Sequence, residues 1–156
     1  VNEAVRSILP RLLDTFQIVH LCGKGNLDHT LDHLANYVQY EYMNEPLRHL
    51  FAAADLVISR AGANAICELL ALRKPALLIP LSTAASRGDQ ILNARSFKKQ
   101  GFSEVLEEEE MTSDRLYQDV LKLYENRSQY IHAMKSSQLS DASGQITALL
   151  KKLAGC

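Results

Sequence analysis

Cysteine is scarce in this chain: among 156 residues only Cys22, Cys67 and Cys156 occur. An odd number without metal-ligand spacing argues against a disulfide framework and against a zinc site, and predicts reduced thiols in a cytoplasmic protein. Charge of one sign is missing too. Lys+Arg number 17 and Asp+Glu 18, for a formal net charge of -1. No block of Lys or Arg is long enough to leave a nucleic-acid footprint, so any partner must be read from a site rather than from bulk charge. No apolar run approaches the roughly 18 residues of a membrane span. The N-terminus lacks a signal-peptide pattern, and a soluble chain is expected. No internal repeat is visible.

What is present is an apolar fraction of 47% in a length that suits one domain with a real core. The hydrophobic pattern switches between helical spacing and short continuous runs, which is the mark of an α/β fold. Residues 1–14 carry Val5, Ile8, Leu9, Leu12 and Leu13 on one helical face, and residues 16–22 read as a short strand ending at Gly23. A second helix is expected over 26–36, a strand over 37–40, and a short helix over 46–53 with Pro in its first turn. Two runs, Leu56-Val57-Ile58 and Ala76-Leu77-Leu78-Ile79, are apolar on consecutive positions, as strands of a parallel sheet covered on both faces must be. Between them a helix over 63–72 would bury Ile66, Leu69 and Leu70. A helix over 90–100, a strand over 103–106 and a charged turn at 107–110 follow. The tail reads as helices over 113–124, 127–137 and 142–153, with Ser113 and Asp141 as N-caps.

Alternation of this kind lines up the C-terminal ends of the strands along one edge, where ligands of such folds bind. Three loops follow strands there: 22–26, 59–64 and 80–90. The second, Ser59-Arg60-Ala61-Gly62-Ala63-Asn64, enters a helix through small residues. Gly62 has no Cβ to block a phosphate, and the helix start presents unpaired N–H groups at the positive end of its dipole. A tight strand-to-helix turn uses the same residues equally well. Asn64 and Glu68 stand about 40° apart around the helix axis and Ile66 points nearly the opposite way, which takes Glu68 off the core face. A carboxylate set there suits the paired hydroxyls of a ribose. It also suits plain solvent. The third loop exceeds the usual connection of about 2 to 6 residues. It ends in Asp89 and Gln90, acceptors and a donor side by side, fit for vicinal sugar hydroxyls, although Asp89 is equally an ordinary N-cap.

Taken in order, Asp55-Leu56-Val57-Ile58-Ser59-Arg60-Ala61-Gly62-Ala63-Asn64, Glu68, Lys74-Pro75-Ala76-Leu77-Leu78-Ile79-Pro80, and Asp89-Gln90 with Asn93-Ala94 resemble the C-terminal domain of the MurG-type N-acetylglucosaminyltransferase family. His20 to Gly23 and Glu41 to Met43 add to the match. The resemblance implies a Rossmann-like parallel sheet with flanking helices, half of a glycosyltransferase B fold, with a helical C-terminal tail. It implies a single UDP-sugar-binding domain over residues 1–156 and, in the parent protein, transfer of N-acetylglucosamine from UDP-N-acetylglucosamine to undecaprenyl-diphospho-muramoyl-pentapeptide. That reaction serves peptidoglycan synthesis on the cytoplasmic face of the cell membrane.

Carried over by position, Gly62, Ala63 and Asn64 face the diphosphate, Glu68 takes the ribose, and Asp89 and Gln90 take the donor sugar. Asp89 stands where some members have Gln. Tyr42 and Met43 fall at the uracil site. Arg60 matches a family arginine, with pairing to an acidic neighbour as the other reading, and His20 matches a family position with a structural role equally open. No metal or other cofactor is implied.

Set against the family, the chain is expected to lack the first strand, the Gly-rich phosphate loop and the acceptor domain with its base, which leaves no catalytic residue to name here. The absent strand belongs between residues 16–21 and 56–59. The isolated chain is therefore expected to close that gap by rearrangement or to recruit a strand from another copy, to bind donor weakly at best, and not to turn over. Two other readings remain: a domain like the non-hydrolysing UDP-N-acetylglucosamine 2-epimerases, and the donor-binding subunit of a split transferase. An NAD enzyme fits poorly, because Gly23-Lys24-Gly25 lacks the third glycine of the dinucleotide fingerprint.

Overall fold

Every strand of the computed structural model runs parallel to its neighbour. The structure describes residues 1–44, 46–83 and 88–137. The expected helix over 142–153, its Asp141 cap and part of the 80–90 loop lie outside them.

The N-terminal helical face is present but broken into α1 (Asn2–Ser7) and α2 (Leu9–Leu12), joined at Ile8 with φ -110° and ψ 3°. Pro10 sits in the first turn of α2. It has no N–H to continue a helical ladder and its ring crowds the preceding turn, so the chain restarts there. Val5, Ile8, Leu9 and Leu12 are buried. Strand β1 (Ile18–Leu21) pairs with β2 (Tyr37–Tyr40) in the register Ile18 to Tyr37 through Leu21 to Tyr40.

The helix expected over 26–36 does not form. The segment holds one 3₁₀ turn, His29–Leu31. Asp28 explains the failure. Its carboxylate accepts from the Thr30 N–H at 3.1 Å and the Thr30 hydroxyl at 2.6 Å, and the Gln39 amide donates to its backbone carbonyl at 2.8 Å. Short polar side chains that bond to nearby backbone offer it an alternative to the helical ladder.

Helix α3 (Pro46–Ala53) leads to the second sheet, in which β4 (Ala76–Leu78) lies between β3 (Val57–Ser59) and β5 (Ser103–Val105). Helix α4 (Ala63–Ala71) connects β3 to β4 and α5 (Asp89–Lys99) connects β4 to β5. Lys74, in the turn before β4, donates to the carbonyls of Ala52 at 2.7 Å and Ala54 at 2.8 Å, satisfying acceptors at the C-terminal end of α3. A 3₁₀ turn, Glu108–Glu110, then leads to α6 (Ser113–Glu125) and α7 (Arg127–Ser136). The N-cap of α6 is Thr112 rather than Ser113: the Thr112 hydroxyl accepts from Arg115 N–H at 3.2 Å.

The central strand separates two cores. Leu77 and Ile79 face a large cluster with Val5, Ile8, Leu9, Leu12, Leu116, Val120, Leu123 and Met134, so helices α1, α2, α6 and α7 cover that side. Ala76 and Leu78 face Ala61, Ile66, Leu69 and Ala94 from the side of α4 and α5. Burial on both faces accounts for the unbroken apolar run of β4. This is the α/β arrangement of parallel strands with flanking helices.

Among the described residues no ladder joins β1 to β3, so the strands form a two-stranded and a three-stranded sheet. Among the described residues no further strand pairs with the outer edge of β1 or of β3. On the first sheet Val19 and Val38, and likewise Leu21 and Tyr40, are cross-strand partners and are exposed between 37% and 42%.

A polar chain crosses beneath β1. Asn2 donates through Nδ2 to the Cys22 carbonyl at 2.7 Å, which leaves its Oδ1 to accept from His20 Nε2 at 3.1 Å. His20 Nδ1 therefore accepts from the Tyr37 hydroxyl at 2.8 Å, and the imidazole is held neutral. Burial, followed by the Arg6 charge, pushes the His20 pKa below its ordinary value of 6.5. Because the unfolded chain binds this proton more readily than the folded one, the His20 contribution to stability is complete above 6.5 and is lost as pH falls towards the folded pKa. Denaturant midpoints at pH 7.5 and 5.5 are expected to differ less in His20→Gln than in the parent. An equal pH response in the two proteins would remove His20 from this role.

Candidate functional site

Parallel pairing of β3 and β4 places the loops that follow them on the same edge of the sheet. After β3 the chain passes through Ala61, which is fully buried, to Gly62, the N-cap of α4. Among the described residues no side chain caps this helix. The N–H groups of its first turn are thus left for solvent or a ligand. Gly62 has φ -65° and ψ 143°, ordinary values for any residue, and a Cβ built on it meets nothing within 4 Å. Among the described residues neither backbone nor packing demands a glycine there. One turn further on, Asn64 and Glu68 are exposed while Ile66, Leu69 and Leu70 are buried, as the helical spacing predicts. Among the described residues the Glu68 carboxylate has no hydrogen bond or ion pair. That exposed, uncommitted carboxylate is what a pair of hydroxyls needs.

The loop after β4 begins at the buried Pro80 and ends at Gly88, whose φ of 86° is left-handed and whose position is the N-cap of α5. Glycine adopts this conformation without strain. Asp89 is therefore not the N-cap. It is the first helical residue, exposed and without a partner among the described residues, where its charge also complements the helix dipole. Gln90 is half-buried, and its Oε1 accepts from Leu81 N–H at 3.1 Å, folding the end of the loop back on its start. Asn93, one turn into α5, donates to the Ala61 carbonyl at 3.2 Å. This bond brings the Gly62 turn and the Asp89–Gln90 helix start together.

Tyr42 and Met43 follow β2, at the C-terminal end of the other sheet. Tyr42 is 67% exposed and Met43 half-buried, and no hydrogen bond among the described residues ties either to Gly62, Glu68 or Asp89. The 22–26 loop is occupied by its own protein. Gly23 and Gly25 have φ of 84° and 74°. Gly23 N–H donates to the Glu41 carbonyl at 2.9 Å and Gly25 N–H to its carboxylate at 2.6 Å. Glu41 thus shapes a turn.

Arg60 was open between a ligand and an ion-pair role, and its guanidinium pairs with Glu108 at 2.7 Å. The hydrogen bond from Arg60, against a smaller opposing effect of burial, holds the Glu108 carboxyl below the usual carboxylate range. Glu108 was invisible to sequence reasoning, since nothing in the run of residues 107–110 distinguishes one glutamate from the next. A separate open depression lined by Arg95, Lys98, Glu107, Glu110 and Arg115 lies beside β5, and Arg95 and Glu107 there satisfy each other at 2.7 Å. Among the described residues no group of three or more His, Cys, Asp or Glu could hold a metal ion, and no helix is long and apolar enough to cross a membrane.

Comparison with known proteins extends this geometry. Residues 1–148 match the model of the glycosyltransferase family 28 C-terminal domain. A protein of Lachnoclostridium phytofermentans named UDP-N-acetylglucosamine--N-acetylmuramyl-(pentapeptide) pyrophosphoryl-undecaprenol N-acetylglucosamine transferase is 59% identical over 98% of this chain and 43% of its own length. A protein of the same name from Lachnospira eligens is 61% identical over 97% of the chain and 43% of its own length. The chain therefore spans less than half of these relatives. Among solved structures, Acinetobacter baumannii MurG superposes with a TM-score of 0.69 at 24% identity, over 96% of this chain and 46% of that one. The glycotransferase of kitacinnamycin gives 0.75 at 20% identity, over 96% of this chain and 38% of that one. At these identities the likeness is one of fold.

Proposed function

Because the chain belongs to the family of glycosyltransferase family 28 C-terminal domains, we propose that it is the donor-binding domain of a transferase that moves N-acetylglucosamine from UDP-N-acetylglucosamine to an undecaprenyl-linked muramoyl-pentapeptide. The observation that carries the site is the uncapped start of α4 at Gly62 with the uncommitted Glu68 carboxylate one turn along the same helix.

In this reading the N–H groups at Ala63 and Asn64 face the diphosphate, and the absence of a Cβ at Gly62 leaves room for it to approach. Glu68 accepts both ribose hydroxyls. Asp89 and Gln90 hold hydroxyls of the sugar, and Tyr42 and Met43 border the uracil. The anomeric carbon exchanges its bond to the UDP oxygen for a bond to the acceptor oxygen with inversion, and the acceptor hydroxyl's proton leaves to a base outside this chain. Charge growing on the departing UDP would be stabilised by the fixed dipoles of the helix start, a contribution that needs no reorganisation during the reaction. The lipid-linked acceptor would be met by parts of the parent protein beyond this chain, on the cytoplasmic face of the membrane. Among the described residues β1 and β3 each have an edge without a partner strand, which supports self-association of the chain as a further property.

Calorimetric titration tests the reading. The chain is expected to bind UDP and UDP-N-acetylglucosamine, and to bind UDP-glucose about tenfold less tightly than the N-acetyl sugar, a difference of about 1.4 kcal/mol. A chain that takes up neither UDP nor its sugar conjugates is not a donor-binding domain of this kind.

A further inference from the structure

An arginine two residues before a helix-start glycine, at the end of a parallel strand, invites assignment as a phosphate ligand. Its contacts point elsewhere. The Arg60 side chain crosses from the end of β3 to the end of β4 and donates through Nη1 to the carbonyls of Ile79 at 3.2 Å and Pro80 at 3.3 Å. Through Nη2 it pairs with Glu108 Oε1 at 2.7 Å. The second oxygen of Glu108 accepts from the backbone N–H of Ser82 at 3.2 Å. Gln90 adds its bond to Leu81 N–H at 3.1 Å. Residues 79–82 are thus held on consecutive backbone groups by side chains from three different segments. Side-chain exposure of Arg60 is 34% and of Glu108 26%, so the pair is partly withdrawn from water and screened less than a surface ion pair.

We propose that Arg60 and Glu108 are a positioning pair for the donor sugar: they fix the root of the loop that ends in Asp89 and Gln90, and touch neither the nucleotide nor the diphosphate. The inference rests on the donor-binding reading above and adds a division of labour to it. The turn at Gly62 and the carboxylate of Glu68 serve the nucleotide half of the donor. Residues 79–82, held by Arg60 and Glu108 and joined to Gln90 through Leu81, serve the sugar half, and misplacing them weakens only the contacts at that end of the donor.

The test compares UDP with UDP-N-acetylglucosamine on the 156-residue chain and on Arg60→Ala, Glu108→Gln, Glu108→Ala and the double variant Arg60→Ala with Glu108→Ala, with hydrogen exchange of the Leu81 and Ser82 amides followed without ligand. Glu108→Ala and Arg60→Ala are each expected to raise the Kd for UDP-N-acetylglucosamine about tenfold and that for UDP less than about twofold, the double variant being no worse than the more affected single one. Exchange at Ser82 is expected to quicken by about tenfold in both. Glu108→Gln, which keeps an acceptor for Ser82 and disturbs folding least, should show the same preference in weaker form.

Three results overturn the proposal. Arg60→Ala could weaken UDP and its sugar conjugate equally while Glu108→Ala leaves both unchanged or tighter, which would make Arg60 a phosphate ligand. Exchange at Ser82 could stay the same in Glu108→Ala and Arg60→Ala, which would mean that the pair does not hold residues 79–82. Lastly, a parent chain that binds neither ligand defeats the donor reading, and the pair's role toward a sugar with it. In that case the amide exchange alone reports whether the pair holds the loop, so the two failures are told apart.

Discussion

Glu68→Ala is expected to weaken UDP binding by about ten- to a hundredfold, the loss of charge-assisted hydrogen bonds worth roughly 1.5–3 kcal/mol. The effect should be the same for UDP and for UDP-N-acetylglucosamine, because the ribose is common to both. Folding should not notice. Glu68 is exposed and uncommitted among the described residues, and substitutions at such positions stay within about 0.5 kcal/mol. Paired titrations and thermal scans separate the two consequences. Glu68→Gln gives an intermediate loss, since an amide keeps one acceptor and gives up the charge. UDP binding that is untouched in Glu68→Ala would remove this residue from the site and with it the orientation of the nucleotide along α4.

Leu77→Ala should have the opposite profile, a large loss of stability with no direct effect on any ligand. Leu77 is fully buried at the middle of β4, which has strands on either side, so little can collapse into the space that truncation leaves. Such substitutions cost about 2–5 kcal/mol, and the poorer the relaxation the nearer the upper end. Total stabilities are only about 5–15 kcal/mol, so the variant could retain half of its stability or less. Chemical denaturation should show the midpoint falling with the slope unchanged. Leu72→Ala is the control. Leu72 is 37% exposed just past the end of α4, and its truncation is expected to cost well under about 1 kcal/mol. Equal losses at the two positions would contradict the placement of the core.

Most of the fold was legible because its signal is local. Strands buried on both faces must be apolar at every position, and Ala76 to Ile79 could be read on that ground alone. The stripe Ile66, Leu69 and Leu70 likewise had only one spacing to fit. What escaped was decided by single polar side chains. Asp28 bonding to Thr30 unmade the helix expected over 26–36. Pro10 split the first helix without disturbing its buried face, so the face was read and the break was not. Thr112 and Ser113 are both good caps, and only the direction of a hydroxyl distinguishes them.

The site divides in the same way. Gly62 and Glu68 lie on one strand-helix unit, and their relative placement follows from helix geometry. The junction of that unit with α5 depends on Asn93 reaching the Ala61 carbonyl and on Glu108 finding Arg60 across the sheet edge. Those are long-range choices between chemically equivalent partners. Hydrophobic periodicity carries no information about them.

Two neighbours in the chain, Leu77 and Leu78, belong to cores on opposite sides of one sheet. Adjacent codons here are expected to answer to separate selective pressures. A lineage that lost volume at Leu77 would find its compensating changes in α1, α2, α6, α7 or at Leu70 of α4, whereas one that lost it at Leu78 would find them at Ile66 and Leu69 of α4 or Ala94 of α5. Phe97, which packs against both clusters, is where the two histories meet, and substitutions there should carry epistasis that neither leucine shows with the other.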